Sequence, residues 1–201
     1  SMYKRAIGRE LLGRNFDIPT TDIDLPKVVQ TSIPTRGFSD DEAAAILSAA
    51  TKETDPLYHF VPILQHYSGV RVSELTHLRP DDVRQVDGVW CFCPTLHESE
   101  RTQKTGFSRR EVPLHPAIVE EFVAFAKRRK KEGATWLFIR ESSKQGVAKE
   151  KPAKKANERL ARWIHKVASA AGFKIGAKPG VEPNHAWRHR FGILCERAGI
   201  S

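Results

Sequence analysis

The sequence predicts an α+β fold, mostly helical, with a small antiparallel sheet of about three strands. Apolar residues recur at helical spacing over residues 39–78, and helical patterns return from residue 116 onward. Between them, Val83–Val86 and Val89–Phe92 read as two strands around Asp87-Gly88, a dipeptide suited to a hairpin turn. Helices, a short sheet, then helices is the pattern of one α+β domain.

Each element has its own signal. Residues 3–13 read as a short helix ending at Gly13, and Ser1-Met2 ahead of it as a remnant of protease cleavage. Pro19, Pro26 and Pro34 mark the following stretch as an extended linker. Residues 1–35 are therefore expected to be a remnant, the end of an upstream unit and a linker, and residues 36–201 the main domain. Ser39 opens a helix with a capping box, since Glu42 lies three residues on. A second helix is predicted over 56–67, with Leu57, Phe60, Val61 and Leu64 on one face and a stop at Ser68-Gly69. A third, over 71–78, follows at once, so Arg71 sits where a glycine turn joins two helices. A third strand is expected at 109–114, ended by His115-Pro116. Helices follow at 116–131 and 155–171, with residues 144–155 read as a Lys-rich loop. Pro183 starts a last helix, 184–198, which ends at Gly199.

Composition narrows the function. Hydrophobic residues make up 40% of the 201 and charged residues 28%, too apolar a chain for disorder. No apolar run approaches the roughly 18–20 residues of a membrane span, and no segment has the order of a secretion signal. Three cysteines, an odd number, suit a reducing cytoplasmic setting. Cys91 and Cys93 with His97 suggest zinc only weakly, because no second ligand pair follows at metal spacing. Two small apolar residues on a strand explain the cysteines better.

The net charge of +9 is unevenly spread. Residues 1–100 carry 10 Lys/Arg against 15 Asp/Glu, whereas residues 101–190 carry 22 against 8. A field so lopsided attracts polyanions, and nucleic acid is the commonest large one. The alternative is a solvated lysine surface. Membrane association is disfavoured, because no long apolar helical face accompanies the basic residues.

Three segments carry chemistry. In PNHAWRHRFG, His185, Arg188 and His189 stand at i, i+3 and i+4, on one face of a helix start that already favours an anion. Beside the apolar Trp187, Phe191 and Leu194, they suggest a partly buried polar pocket. In YSGVRVSELTHL, Gly69 permits a sharp turn that aims Arg71, and Glu74 is placed to hold its guanidinium. Alone, that pair is an ordinary surface ion pair of small worth. In RTQKTGFSRREVPL, Lys104 sits in a loop joining two strands, where an ammonium can swing over a neighbouring site.

Together these segments resemble the catalytic domain of the tyrosine recombinases, the phage-integrase family. GVRVSEL resembles the first arginine box, KTGFSRREVPL the strand-turn lysine followed by an R-x-V-P-L strand, and NHAWRHRFG the His-x-x-Arg box. The likeness covers roughly residues 36–201. It implies that residues 3–13 end an upstream DNA-clamping domain, and that the reaction is metal-free cutting and rejoining of DNA, without any cofactor. By the same resemblance Arg71 and Arg188 bind the nonbridging oxygens of the scissile phosphate, a geometry suited to guanidinium groups. Lys104 would protonate the leaving 5′ oxygen. His185 would move the nucleophile's proton, a task suited to an imidazole. Glu74 and His189 would orient the others.

The implied partners are double-stranded DNA and further recombinase subunits, as a tetramer on paired sites. The setting would be the nucleoid of a bacterium, or of one carrying a phage. In the family the attacking tyrosine, which forms a 3′-phosphotyrosyl link, follows the His-x-x-Arg box. Tyr3, Tyr58 and Tyr67 all precede that box. Tyr67 is expected to pack with the apolar face of its helix. The chain is thus expected to hold the phosphate-binding cluster without the nucleophile. Two other readings stay open, a type IB topoisomerase-like enzyme and a non-catalytic DNA-binding module on the same scaffold.

Overall fold

A computed structural model describes residues 36–94, 110–139, 152–176 and 181–200. The expected helix at 3–13, the proline-marked linker and the loop bearing His97 and Lys104 lie outside the described residues. Helix α1 spans Asp40–Ala50, and Ser39 caps it as predicted. Ser39 Oγ accepts the Glu42 N–H at 3.2 Å, and a Glu42 carboxylate oxygen accepts the Ser39 N–H at 2.8 Å. The buried Glu42 carboxylate also receives both Arg36 guanidinium nitrogens, at 2.6 and 2.7 Å.

Helix α2 (Pro56–Ser68) begins where Asp55 accepts the Leu57 N–H at 3.0 Å. Its predicted face, Leu57, Phe60, Val61 and Leu64, is buried. It ends at Gly69, whose φ of 59° is left-handed and whose N–H reaches the Gln65 carbonyl at 2.9 Å. Helix α3 (Val72–Thr76) is shorter than the expected 71–78. Proline at position 80 forces Arg79 into extended backbone, with φ −99° and ψ 159°, and a 3-10 turn at Pro80–Asp82 takes over.

The sheet is antiparallel, ordered β1 (Val83–Val86), β2 (Val89–Phe92), β3 (Val112–Pro113). Asp87 and Gly88 have φ of 48° and 81°, the two positive values of a type I′ turn, and Val86 pairs with Val89. Among the described residues β3 covers two positions, shorter than the expected 109–114, and Pro113 faces Cys91 at a position where no ladder hydrogen bond is needed. The Leu114 N–H still reaches the Trp90 carbonyl at 2.9 Å.

Helix α4 (Pro116–Lys131) matches the expectation and is capped by His115, whose Nδ1 accepts the Ala117 N–H at 3.1 Å. Helix α5 (Pro152–Ala170) starts inside the segment read as loop. Proline suits a first helical position, where its missing N–H would have had no partner. Helix α6 spans Pro183–Arg197. No helix among the described residues is long and apolar enough to cross a membrane.

One core joins these elements. Helix α2 packs against α1, α3, α5 and α6. Phe60, Phe122, Phe125 and Phe138 form a ring cluster with centroids 4.8–6.3 Å apart. Trp187 is fully buried and meets Phe38 edge-on at 4.8 Å.

Candidate functional site

Arg71 is the residue before α3, two residues after the left-handed Gly69. Its N–H donates to Glu74 Oε2 at 3.0 Å, and its Nη1 lies 3.6 Å from Glu74 Oε1. The Glu74 side chain is 4% exposed and that of Arg71 43% exposed, so the acid is inside and the guanidinium outside. The same carboxylate has another cation. Arg110, just ahead of β3, donates from Nη2 to Glu74 Oε2 at 2.6 Å. A carboxylate taken out of water needs such partners, because burial without them is expensive. Sequence reasoning assigned Arg71 and Glu74 but gave Arg110 no role. Its signal was present as the arginine of R-x-V-P-L in RREVPL.

On α6 the outcome differs from the expected partly buried pocket. His185, Arg188 and His189 are exposed, while Ala186 and Trp187 are buried. Successive helical residues are about 100° apart, so seating Trp187 in the core turns its polar neighbours outward. Arg188 is nevertheless held, because its Nη1 donates to the Gly69 carbonyl at 3.1 Å. The guanidinium of Arg188 therefore lies on the turn two residues before Arg71. Phe191, one helical turn along, closes over the same glycine, and a Cβ at Gly69 would sit 2.5 Å from its ring. Thr76 Oγ1 and Asn157 Oδ1 meet at 2.9 Å, and the Asn184 amide reaches the Asn157 carbonyl at 3.5 Å, linking α3, α5 and α6.

Arg190 was also missed by sequence reasoning. Its side chain is 14% exposed and pairs with Asp40 at 2.7 Å, and it donates to the Phe38 carbonyl at 3.2 Å. That hydrogen bond and the arginine charge hold the Asp40 carboxyl below its ordinary range. Gly37 accommodates the approach, since a Cβ there would lie 2.5 Å from the Arg190 backbone nitrogen. Half-buried His66 lies 5.6 Å from Trp187, and burial pushes its pKa below 6.5, with Arg190 and His115 acting in the same direction.

Tyr67 does not pack into the core. It is 37% exposed and stacks flat on His115, with ring centroids 3.9 Å apart. Its place next to the last residue of α2 carries it past the core. Cys91 and Cys93 are buried free thiols, and burial pushes both pKa values up. Lys104 lies outside the described residues.

The sequence pattern of the phage integrase family matches residues 37–201. The chain belongs to the phage integrase family, the tyrosine recombinases. The matched stretch takes in every described helix and strand, and the family acts on DNA. Neither the curated proteins nor the solved structures gave a significant match.

Proposed function

We propose that residues 36–201 are the catalytic core of a site-specific DNA recombinase, which cleaves and rejoins strands through a 3′-phosphotyrosyl intermediate in the intact protein. The observation that carries this reading is the hydrogen bond from Arg188 to the Gly69 carbonyl, which sets one arginine box against the turn that launches the other. On this reading Arg71 and Arg188 grip the nonbridging oxygens of the scissile phosphate. Attack adds negative charge to those oxygens, so fixed cations stabilise the transition state more than the ground state. The arginines supply that charge themselves, and the scheme calls for no metal. Lys104 protonates the leaving 5′ oxygen, His185 handles the nucleophile's proton, and Glu74 and His189 hold the others in place. Residues 1–35 are read as a remnant, the end of a DNA-clamping domain and a linker, and the working assembly as a tetramer on paired duplex sites.

The test is Arg188→Ala in the full-length protein. Losing one such donor lowers the cleavage rate on the order of 10²–10³-fold, while duplex affinity, dominated by many backbone contacts, stays close to wild type. Affinity that falls in proportion to activity would instead favour a DNA-binding module on the same scaffold.

A further inference from the structure

We infer that Arg110 is a positioning residue of this site, acting through Glu74 to set where the Arg71 guanidinium stands. The inference rests on the proposed role of Arg71 as a phosphate ligand.

The argument begins with the charge at Glu74. Its carboxylate is buried, and two guanidinium groups approach it from different parts of the fold. They are not equivalent. Arg110 makes the close contact, 2.6 Å to Oε2, whereas the Arg71 guanidinium stands 3.6 Å from Oε1. Arg71 meets Oε2 through its backbone N–H instead, at 3.0 Å. Glu74 therefore fixes where the Arg71 backbone enters α3, and Arg110 supplies the short charge-assisted bond that a buried carboxylate requires. With that need met, the Arg71 guanidinium is not drawn fully onto the acid, and 43% of its side chain faces solvent.

Removing the Arg110 charge leaves Glu74 with Arg71 as its nearest guanidinium among the described residues. Coulomb attraction across a poorly solvated gap then pulls Arg71 inward, away from an anion outside. Arg110 lies just ahead of β3, so it joins the first arginine box to the start of that strand by a contact 36 residues apart in sequence.

The experiment measures single-turnover cleavage of a nicked recombination substrate by the full-length protein carrying Arg110→Gln, Arg110→Lys, Arg71→Ala, or Arg71→Ala with Arg110→Gln. Small displacements of a catalytic group cost about 10²-fold, so Arg110→Gln is expected to slow cleavage by about that factor with little change in duplex affinity. Arg110→Lys, which keeps a charge for Glu74, recovers part of the rate. The double variant is no slower than Arg71→Ala. On a substrate with a neutral methyl replacing one nonbridging oxygen of the scissile phosphate, the Arg110→Gln defect largely disappears, because Arg71 has less charge to hold.

A wild-type rate for Arg110→Gln, beside an inactive Arg71→Ala, overturns the inference and leaves the site intact. A defect equally large on the methylated substrate also overturns it, since a plain folding loss is blind to phosphate charge. If Arg71→Ala itself cleaves normally, the underlying reading of the site fails instead.

Discussion

Gly69 is where conformation, packing and the arginine cluster meet, and Gly69→Ala tests all three. Its φ of 59° is left-handed, a region that costs a residue with a Cβ about 1–2 kcal/mol. The added methyl would also lie 2.5 Å from Phe191 Cδ1 and 2.7 Å from Cγ. Forcing a carbon into filled space costs about 1–3 kcal/mol. Together the substitution should destabilise the domain by about 2–5 kcal/mol. At about 2–4 °C per kcal/mol for a domain of this size, the melting temperature should fall by about 4–20 °C. Urea unfolding of wild type, Gly69→Ala, Phe191→Ala and the double variant separates the two causes. Removing the ring relieves the packing share, so the glycine substitution should cost only about 1–2 kcal/mol in the Phe191→Ala background. A Gly69→Ala protein within about 0.5 kcal/mol of wild type, the range of ordinary surface changes, would refute the reasoning. So would a cycle with no coupling between the two positions.

Two further outcomes follow from the same physical arguments. Ser39→Ala removes the oxygen that accepts the Glu42 N–H and should destabilise by about 1 kcal/mol, read as a shift in urea midpoint with an unchanged slope. His66 is held below 6.5 when folded, so the unfolded chain takes up its proton first as pH falls. Its contribution to stability is complete above pH 6.5 and is lost below it. Urea midpoints for wild type and His66→Gln at pH 8 and pH 5.5 should converge on the acid side, and parallel pH profiles would contradict this.

Local chemistry was legible in the sequence wherever one residue's backbone decided the outcome. The Ser39–Glu42 box, the Asp87-Gly88 turn, the Gly69 stop and the face of α2 all appear where the pattern put them. Departures came where proline acts on its neighbours. Pro80 shortens α3, and Pro152 opens α5 inside a stretch that composition alone marked as loop. Of the candidate site, the arginine boxes were readable as motifs, and so was Glu74. Arg110 was readable only as part of R-x-V-P-L, and Arg190 not at all, since their partners Glu74 and Asp40 lie far away in the chain. Outward placement of His185, Arg188 and His189 was hidden for a similar reason. Which face of α6 turns inward is decided by where Trp187 fits, and that depends on Phe38 and His66.

The bond between Arg188 and the Gly69 carbonyl spans 119 residues of sequence. Closing so long a loop carries an entropic cost that local contacts do not. The consequence is that the Arg188 guanidinium keeps its place on the Gly69 turn only while α2 and α6 stay folded together.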